Sequence, residues 1–115
     1  MVMTFKTTLL IVAFALTAVA VPRLAAAQDA KHGQEVYAAQ KCQTCHSVDG
    51  KGSKANPLDG VGAKLSPDEI RQWIVNPTDM TAKAKSQKKP PMPNKYGKLP
   101  AADIDGLVAY MQSLK

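Results

Sequence analysis

One five-residue stretch constrains this chain more than any other. Residues 42–46 read Cys-Gln-Thr-Cys-His, which has the form C-x-x-C-H. Two thiols at this spacing can add to the two vinyl groups of one porphyrin as thioethers, and the histidine that follows can bind the iron from one side. The pattern therefore predicts covalent attachment of one c-type haem through Cys42 and Cys45, with His46 as an axial ligand.

Other uses of the two cysteines fit the sequence less well. A zinc site normally takes four Cys or His ligands, and His32 is the one such residue outside the motif. A thioredoxin-like dithiol would be expected in a βαβ context, which this sequence lacks. A structural disulfide between the two cysteines would leave His46 without a role.

The first 27 residues have the composition of an export signal. Lys6 supplies a positive charge, residues 7–21 form an apolar run, and Ala25-Ala26-Ala27 resembles a cleavage site. Because the run is shorter than the roughly 20 apolar residues that span a membrane, we interpret residues 1–27 as a cleaved signal rather than a retained anchor. The mature protein is then one domain, residues 28–115, with no membrane span.

The mature segment is basic and short of large core residues. It has 13 basic residues, the 15 of the whole chain less Lys6 and Arg23, and 9 acidic ones, which gives a formal charge of +4. A domain of this size buries only about 60–65% of its unfolded surface. A buried haem would supply the apolar core that so small a chain lacks.

The hydrophobic pattern predicts an all-α fold. The first helix is expected over 29–41, with Asp29 as its N-cap. A second begins at Ser66, where Ser66 and Glu69 form a capping box, and ends before Pro77. The last runs from Pro100 to about Leu114 and carries an apolar stripe. Residues 47–63 are predicted to be a loop, 78–99 to lack regular structure, and no segment is predicted to be a strand.

Four residues are candidates for the second axial ligand. His32 lies on the helix that leads into the His46 side of the haem, and Met111 belongs to the apolar stripe of the last helix. Met92 follows Pro90-Pro91 and precedes Pro93, and prolines exclude helix interior and central strand. A stiff strap of this kind can present a flexible thioether to iron. Met92 is therefore the predicted ligand, with Met80 as the alternative.

Two further residues are candidates for supporting roles. A metal-bound histidine usually donates its second ring N–H to a carbonyl or carboxylate. The carbonyl of Pro57, in the loop after His46, is the hypothesised acceptor, and an ordinary turn is the alternative. Trp73 is most simply a core residue, but its indole N–H needs a partner when buried, and a haem propionate is one candidate.

With these features, residues 28–115 resemble the small class I c-type cytochromes. The resemblance rests on the motif at 42–46, on Met92-Pro93 late in the chain, and on the closing amphipathic helix. It implies three to four helices wrapped around one haem c, in a periplasmic protein.

The resemblance also implies contacts for particular residues. Gly33 and Tyr37 match family positions that cross the last helix, where Leu107 and Tyr110 would face them. Residues 57–60, Pro-Leu-Asp-Gly, fit a family segment that accepts the hydrogen bond of the proximal histidine. Trp73 roughly matches a tryptophan that binds a propionate.

The two axial ligands determine the expected function. With both positions filled by protein, no open site is left for substrate, so the protein is expected not to be an enzyme. We predict a one-electron carrier that shuttles electrons between larger redox proteins through the exposed haem edge. The alternative is a haem-containing electron-entry subunit or sensor module of a larger complex.

A lysine-rich segment, residues 80–98, bears on the partners. It contains six lysines and no acidic residue. Such a run is often only a solvated loop, but a basic ring around the haem edge would steer an acidic redox partner towards it. We expect a monomer with acidic redox partners and no nucleic-acid partner.

The export prediction can be checked by mass. Because the predicted cleavage site ends at Ala27, protein isolated from its native compartment should have the intact mass of a chain that starts near Gln28 and carries one covalent haem. A full-length polypeptide that is extracted only with detergent would contradict the cleaved signal.

Overall fold

A computed structural model describes residues 22–115, with side chains from residue 25. The predicted signal, 1–27, lies mainly outside this range. Within it the chain is mostly helical, which confirms the all-α class. The regular elements there are helices α1 (Pro22–Ala39), α2 (Val61–Lys64), α3 (Pro67–Val75), α4 (Pro77–Lys83) and α5 (Ala101–Ser113), the 3₁₀ helices η1 (Cys42–Thr44) and η2 (Asn94–Lys98), and strands β1 (Ser47–Val48) and β2 (Lys51–Gly52).

The predicted start of the first helix was wrong. The described part of α1 starts at Pro22, so Asp29 lies inside the helix rather than capping it. Residues 25–27 are alanines, and alanine is the best helix former. At the other end, Lys41 has a left-handed backbone with φ 57°, and this conformation turns the chain out of the helix.

Helices α1 and α5 cross with their backbones in contact, as the resemblance implied. A Cβ atom at Gly33 would overlap the carbonyl group of Gly106. One turn further along α1, the rings of Tyr37 and Tyr110 pack edge to face, with centroids 5.6 Å apart. The residue that faces Gly33 is Gly106 rather than its neighbour Leu107. A hydrogen bond between His32 Nε2 and the Asp103 carboxylate, 2.8 Å long, joins the same two helices.

Helix α3 begins and ends where the sequence predicts. The backbone N–H of Ser66 donates to the Glu69 carboxylate at 2.8 Å, and the N–H of Glu69 donates to the Ser66 hydroxyl at 3.2 Å. These bonds form the predicted capping box. Ile70 and Ile74 are buried in the same hydrophobic cluster as the apolar residues of α5.

Helix α4 was not predicted, because Pro77 was interpreted only as the end of α3. Proline also suits the first position of a helix, and Pro77 both follows α3 and begins α4. Its side chain is fully buried. The segment 78–99 therefore opens with a helix of its own.

The hairpin formed by β1 and β2 also corrects the expectation of a loop without strands. The two strands are antiparallel, and the turn residues Asp49 and Gly50 have φ values of 50° and 75°. Positive φ at both central residues defines a type I′ turn, for which Asp-Gly is a strong sequence signal.

The core lies between α1, α3 and α5. Four residues of the stripe predicted on α5 are buried in the core, namely Ile104, Leu107, Val108 and Met111. Helix α2 is tied to the end of α5, where the Gly62 N–H donates to the Leu114 carbonyl at 2.8 Å and the Gln112 amide donates to the Leu65 carbonyl at 2.9 Å. No helix in the described range combines the length and the apolar character needed to cross a membrane.

The helix crossing gives a direct test. Alanine at Gly33 gains helix propensity, but its methyl group has no room against Gly106. We expect Gly33→Ala to lower the free energy of unfolding by about 1–3 kcal/mol, the usual effect of overpacking, as measured by denaturant unfolding. Gln34→Ala, at the exposed neighbouring position, is the control and should change stability by less than about 0.5 kcal/mol. A Gly33→Ala protein as stable as the wild type would contradict the close crossing.

Candidate haem site

The C-x-x-C-H motif forms a tight turn at the end of α1. The backbone N–H groups of Cys45 and His46 both donate to the carbonyl of Cys42, at 3.1 and 3.0 Å. This turn brings the side chains of Cys42 and His46 to the wall of one cavity. The Cys42 thiol is partly buried, and burial raises its pKa, whereas Cys45 is exposed.

The hydrogen bond of His46 corrects one prediction. Its Nδ1 lies 3.1 Å from the carbonyl oxygen of Asn56, not from that of Pro57. A carbonyl can only accept, so Nδ1 donates and Nε2 keeps its lone pair free. The sequence did not single out Asn56, which also uses its side-chain amide to donate to the Cys45 carbonyl at 3.3 Å.

The one-residue shift follows from the local backbone pairing. Ser47 and Pro57 form an isolated parallel bridge, in which the Ser47 N–H donates to the Asn56 carbonyl at 3.4 Å and the Leu58 N–H donates to the Ser47 carbonyl at 2.8 Å. In this pattern the residues on either side of Pro57 supply the bonding groups, so proline fits at a position that needs no donor. His46 precedes Ser47 and reaches the same Asn56 carbonyl.

His46 is suited to bind a metal as a neutral imidazole. Burial lowers its pKa, the bond to the Asn56 carbonyl acts in the opposite direction, and the charge of Lys88 lowers the pKa further. A neutral ring with Nδ1–H engaged and Nε2 free is the usual form of a histidine ligand.

The hairpin supports the backbone of the motif. The Ser53 N–H donates to the carbonyls of both Gln43 and His46 at 3.0 Å. Gly52 has φ 107°, and a Cβ atom there would overlap the His46 carbonyl oxygen. Glycine is therefore required at Gly52 for both conformation and space.

A cavity of about 220 Å³ lies beside the motif and is lined almost wholly by apolar and aromatic side chains. The cavity is formed by helices α1, α3 and α5, by the segment 58–65, and by the proline-rich strap, residues 90–93, that carries Met92. Its lining residues are Tyr37, Cys42, His46, Leu58, Val61, Leu65, Ile70, Trp73, Ile74, Met92, Tyr96, Leu107 and Met111.

The cavity brings together most of the predicted site residues. Met92 and Trp73 both line it and are partly buried, whereas Met80, in α4, is not among the lining residues. Met92 is thus the better placed of the two candidate methionines. Pro57 is exposed.

The hydroxyl of Tyr37 is a buried polar group that the sequence did not point to. It has no hydrogen-bond partner among the described residues. Tyr37 is only 8% exposed and lines the cavity. Burial raises the pKa of Tyr37 to about 12, and the neighbouring Cys42, Tyr110 and Asp59 add to this effect. The phenol is therefore neutral and has an unused donor, and such groups normally find a partner in the complete protein.

These residues fit a haem. The cavity has apolar walls, a thiol from the motif, a histidine with a free Nε2, and a thioether from Met92. Cys42, Cys45, His46 and Met92 could hold the group. No cluster of three His, Cys, Asp or Glu residues suited to hold a metal ion occurs in the part of the chain that the structure describes.

Comparison with known proteins agrees with this description. A family model described as Cytochrome c matches residues 30–115. Comparison with curated proteins and with solved structures found no match.

Proposed function

The chain belongs to the cytochrome c family, and from this membership and the cavity we propose that it is a one-electron carrier with one haem c between His46 and Met92. The family implies a covalently bound haem c and haem-based electron transfer rather than catalysis. The observation that carries the finer proposal is that Met92 lines the same apolar cavity as His46.

The proposed role of each residue follows from its surroundings. When bound, haem supplies an iron that changes between the ferrous and ferric states. The Asn56 carbonyl holds the His46 ring in place and makes the lone pair of Nε2 more basic, so Nε2 becomes a stronger ligand for iron. A neutral thioether from Met92 and walls that exclude water both disfavour the additional charge of the ferric state, so they raise the reduction potential. Trp73 and Tyr37 have N–H and O–H groups that could donate to the haem periphery.

Spectra of single variants test the ligand. Met92→Ala should abolish the sulfur-to-iron absorption band of the ferric holoprotein and lower its reduction potential, because the thioether is lost. Met80→Ala is the matched control and should leave both nearly unchanged, since Met80 does not line the cavity. The reverse result would identify Met80, rather than Met92, as the ligand of the iron. A five-coordinate, high-spin wild type would exclude the simple carrier.

The lysines of the 80–98 segment support an acidic redox partner. Lys88 donates from Nζ to the Ala55 carbonyl at 3.0 Å, and its charge contributes to the lowered pKa of His46. Lys95 lies 5.2 Å from the ring centroid of Tyr96, which lines the cavity. Positive charge thus lies beside the candidate haem site, where it can attract an anionic surface. We propose that the partners present such surfaces and that binding is brief, as in other electron-transfer contacts.

Salt dependence tests the proposed partner. The Debye length falls from about 30 Å at 0.01 M salt to about 8 Å at 0.15 M, so electron transfer to the physiological acceptor should slow over that range, by about tenfold or more. Replacing Lys83, Lys85 and Lys89 with Gln should flatten this dependence. Lys88 is left unchanged because it holds Ala55.

The matched control removes the same charge from other exposed positions. Lys31, Lys51 and Lys64, each replaced by Gln, lie outside the 80–98 segment, and this variant should keep most of the wild-type salt dependence. A wild-type rate that does not change with salt, or equal effects of the two triple variants, would contradict a docking role for the lysine-rich segment.

We also propose that the protein works as a periplasmic monomer after removal of residues 1–27. Export is typical of cytochrome c domains, and the mass measurement described above tests the cleavage. A carrier purified without its partners should elute as a monomer in gel filtration, whereas a subunit of a stable complex would co-purify with the other subunits.

A further inference from the structure

The segment that carries Met92 makes few hydrogen bonds of its own. Pro90, Pro91 and Pro93 have no N–H group to donate. Within the described residues, the N–H of Met92 donates to no backbone carbonyl. Besides its own packing in the cavity wall, the Met92 side chain therefore depends for its position on contacts of the neighbouring residues.

Asn94 makes such a contact. Its side-chain oxygen Oδ1 accepts two hydrogen bonds from Thr78, one from the backbone N–H at 3.3 Å and one from the hydroxyl at 3.0 Å. Asn94 and Thr78 are 16 residues apart in the sequence. Asn94 follows Met92 by two residues, a distance of at most about 7 Å along an extended chain.

Thr78 lies in the first turn of α4, where backbone N–H groups have no partner within the helix. The residue in the N-cap position, Asn76, provides no side-chain cap. Its amide instead donates to the Asp79 carboxylate at 2.8 Å. The N–H groups in the first turn of a helix usually donate to the side chain of the N-cap residue. Here the acceptor is Asn94, which lies 16 residues further along the chain than Thr78.

The contact between Asn94 and Thr78 is exposed, but packed residues lie on either side of it. Pro77, the residue before Thr78, is fully buried. On the other side of the contact, Gly97 lies so close to the end of α3 that a Cβ atom there would be 2.7 Å from the Val75 carbonyl oxygen. Residues 94–97 therefore lie against residues 75–78, and Met92 is two residues before the start of this contact.

We propose that Asn94 is a positioning residue for Met92: by bonding to Thr78 it fixes the end of the proline-rich strap so that the thioether stays in the cavity that His46 also lines. This inference rests on the proposed role of Met92 as a ligand of the haem iron. Asn94 acts through the backbone of the strap and does not itself touch the metal.

Competition by imidazole in the ferric holoprotein measures the effect. Imidazole can bind iron only when the Met92 thioether has left. Asn94→Ala removes both bonds to Thr78 and should raise the apparent affinity for imidazole by about tenfold, the effect expected for two neutral hydrogen bonds. Thr78→Val removes only the hydroxyl and should raise the affinity by about threefold. Asn94→Asp keeps an acceptor and should stay within about twofold of the wild type.

The control is Asn76→Ala, which removes a side-chain bond from the same end of α4 but none to the strap. It should leave imidazole affinity at the wild-type value. If Asn94→Ala does not mature with haem, Thr78→Val decides the question. Affinities for Asn94→Ala or Thr78→Val equal to that of Asn76→Ala would overturn the inference.

Met92→Ala, measured in parallel, separates the two proposals. If Met92→Ala abolishes the sulfur-to-iron band while Asn94→Ala leaves the imidazole affinity unchanged, the ligand is correct and the positioning role is wrong. If Met92→Ala leaves the band unchanged, the ligand assignment fails and the positioning role fails with it.

Discussion

The backbone contact between Gly33 and Gly106 determines where the remaining elements can lie. Because neither residue has a side chain, α1 and α5 approach until main-chain atoms touch. The end of α1 then carries Tyr37 and the C-x-x-C-H turn to one side of the cavity, while α5 supplies Leu107 and Met111 to its wall. A wider crossing would move the motif away from the other residues that enclose the cavity.

Features encoded by short stretches could be predicted from the sequence. The capping box of α3 depends on two residues three apart, and the turn that places Cys42 and His46 on the cavity wall depends on a motif of five. The turn at Asp49 and Gly50 was equally local, but its type I′ signal was interpreted only as part of a loop. Helix α4 was missed because one proline serves two helices, and a proline in sequence indicates an end more readily than a beginning.

Features set by pairing between distant segments could not be predicted. The acceptor for His46 is Asn56 rather than Pro57 because Ser47 pairs with Pro57 in one particular register, and no residue type in the loop specifies that register. The position of Met92 outside any helix could be predicted from the prolines around it. The hydrogen bond from Thr78 to Asn94 could not be predicted, because the sequence around each residue does not indicate that the two lie close together.

The joining of α1 to α5 has a consequence for the order in which the molecule forms. His32 and Asp103, which pair across the two helices, are 71 residues apart in the sequence. Contacts of such long range form slowly, because a large loop must close before they contribute any stability. Val36 and Tyr37 cannot be buried until α5 has packed against α1. A nascent chain that lacks α5 is therefore an open one, in which the apolar face of α1 is exposed to water.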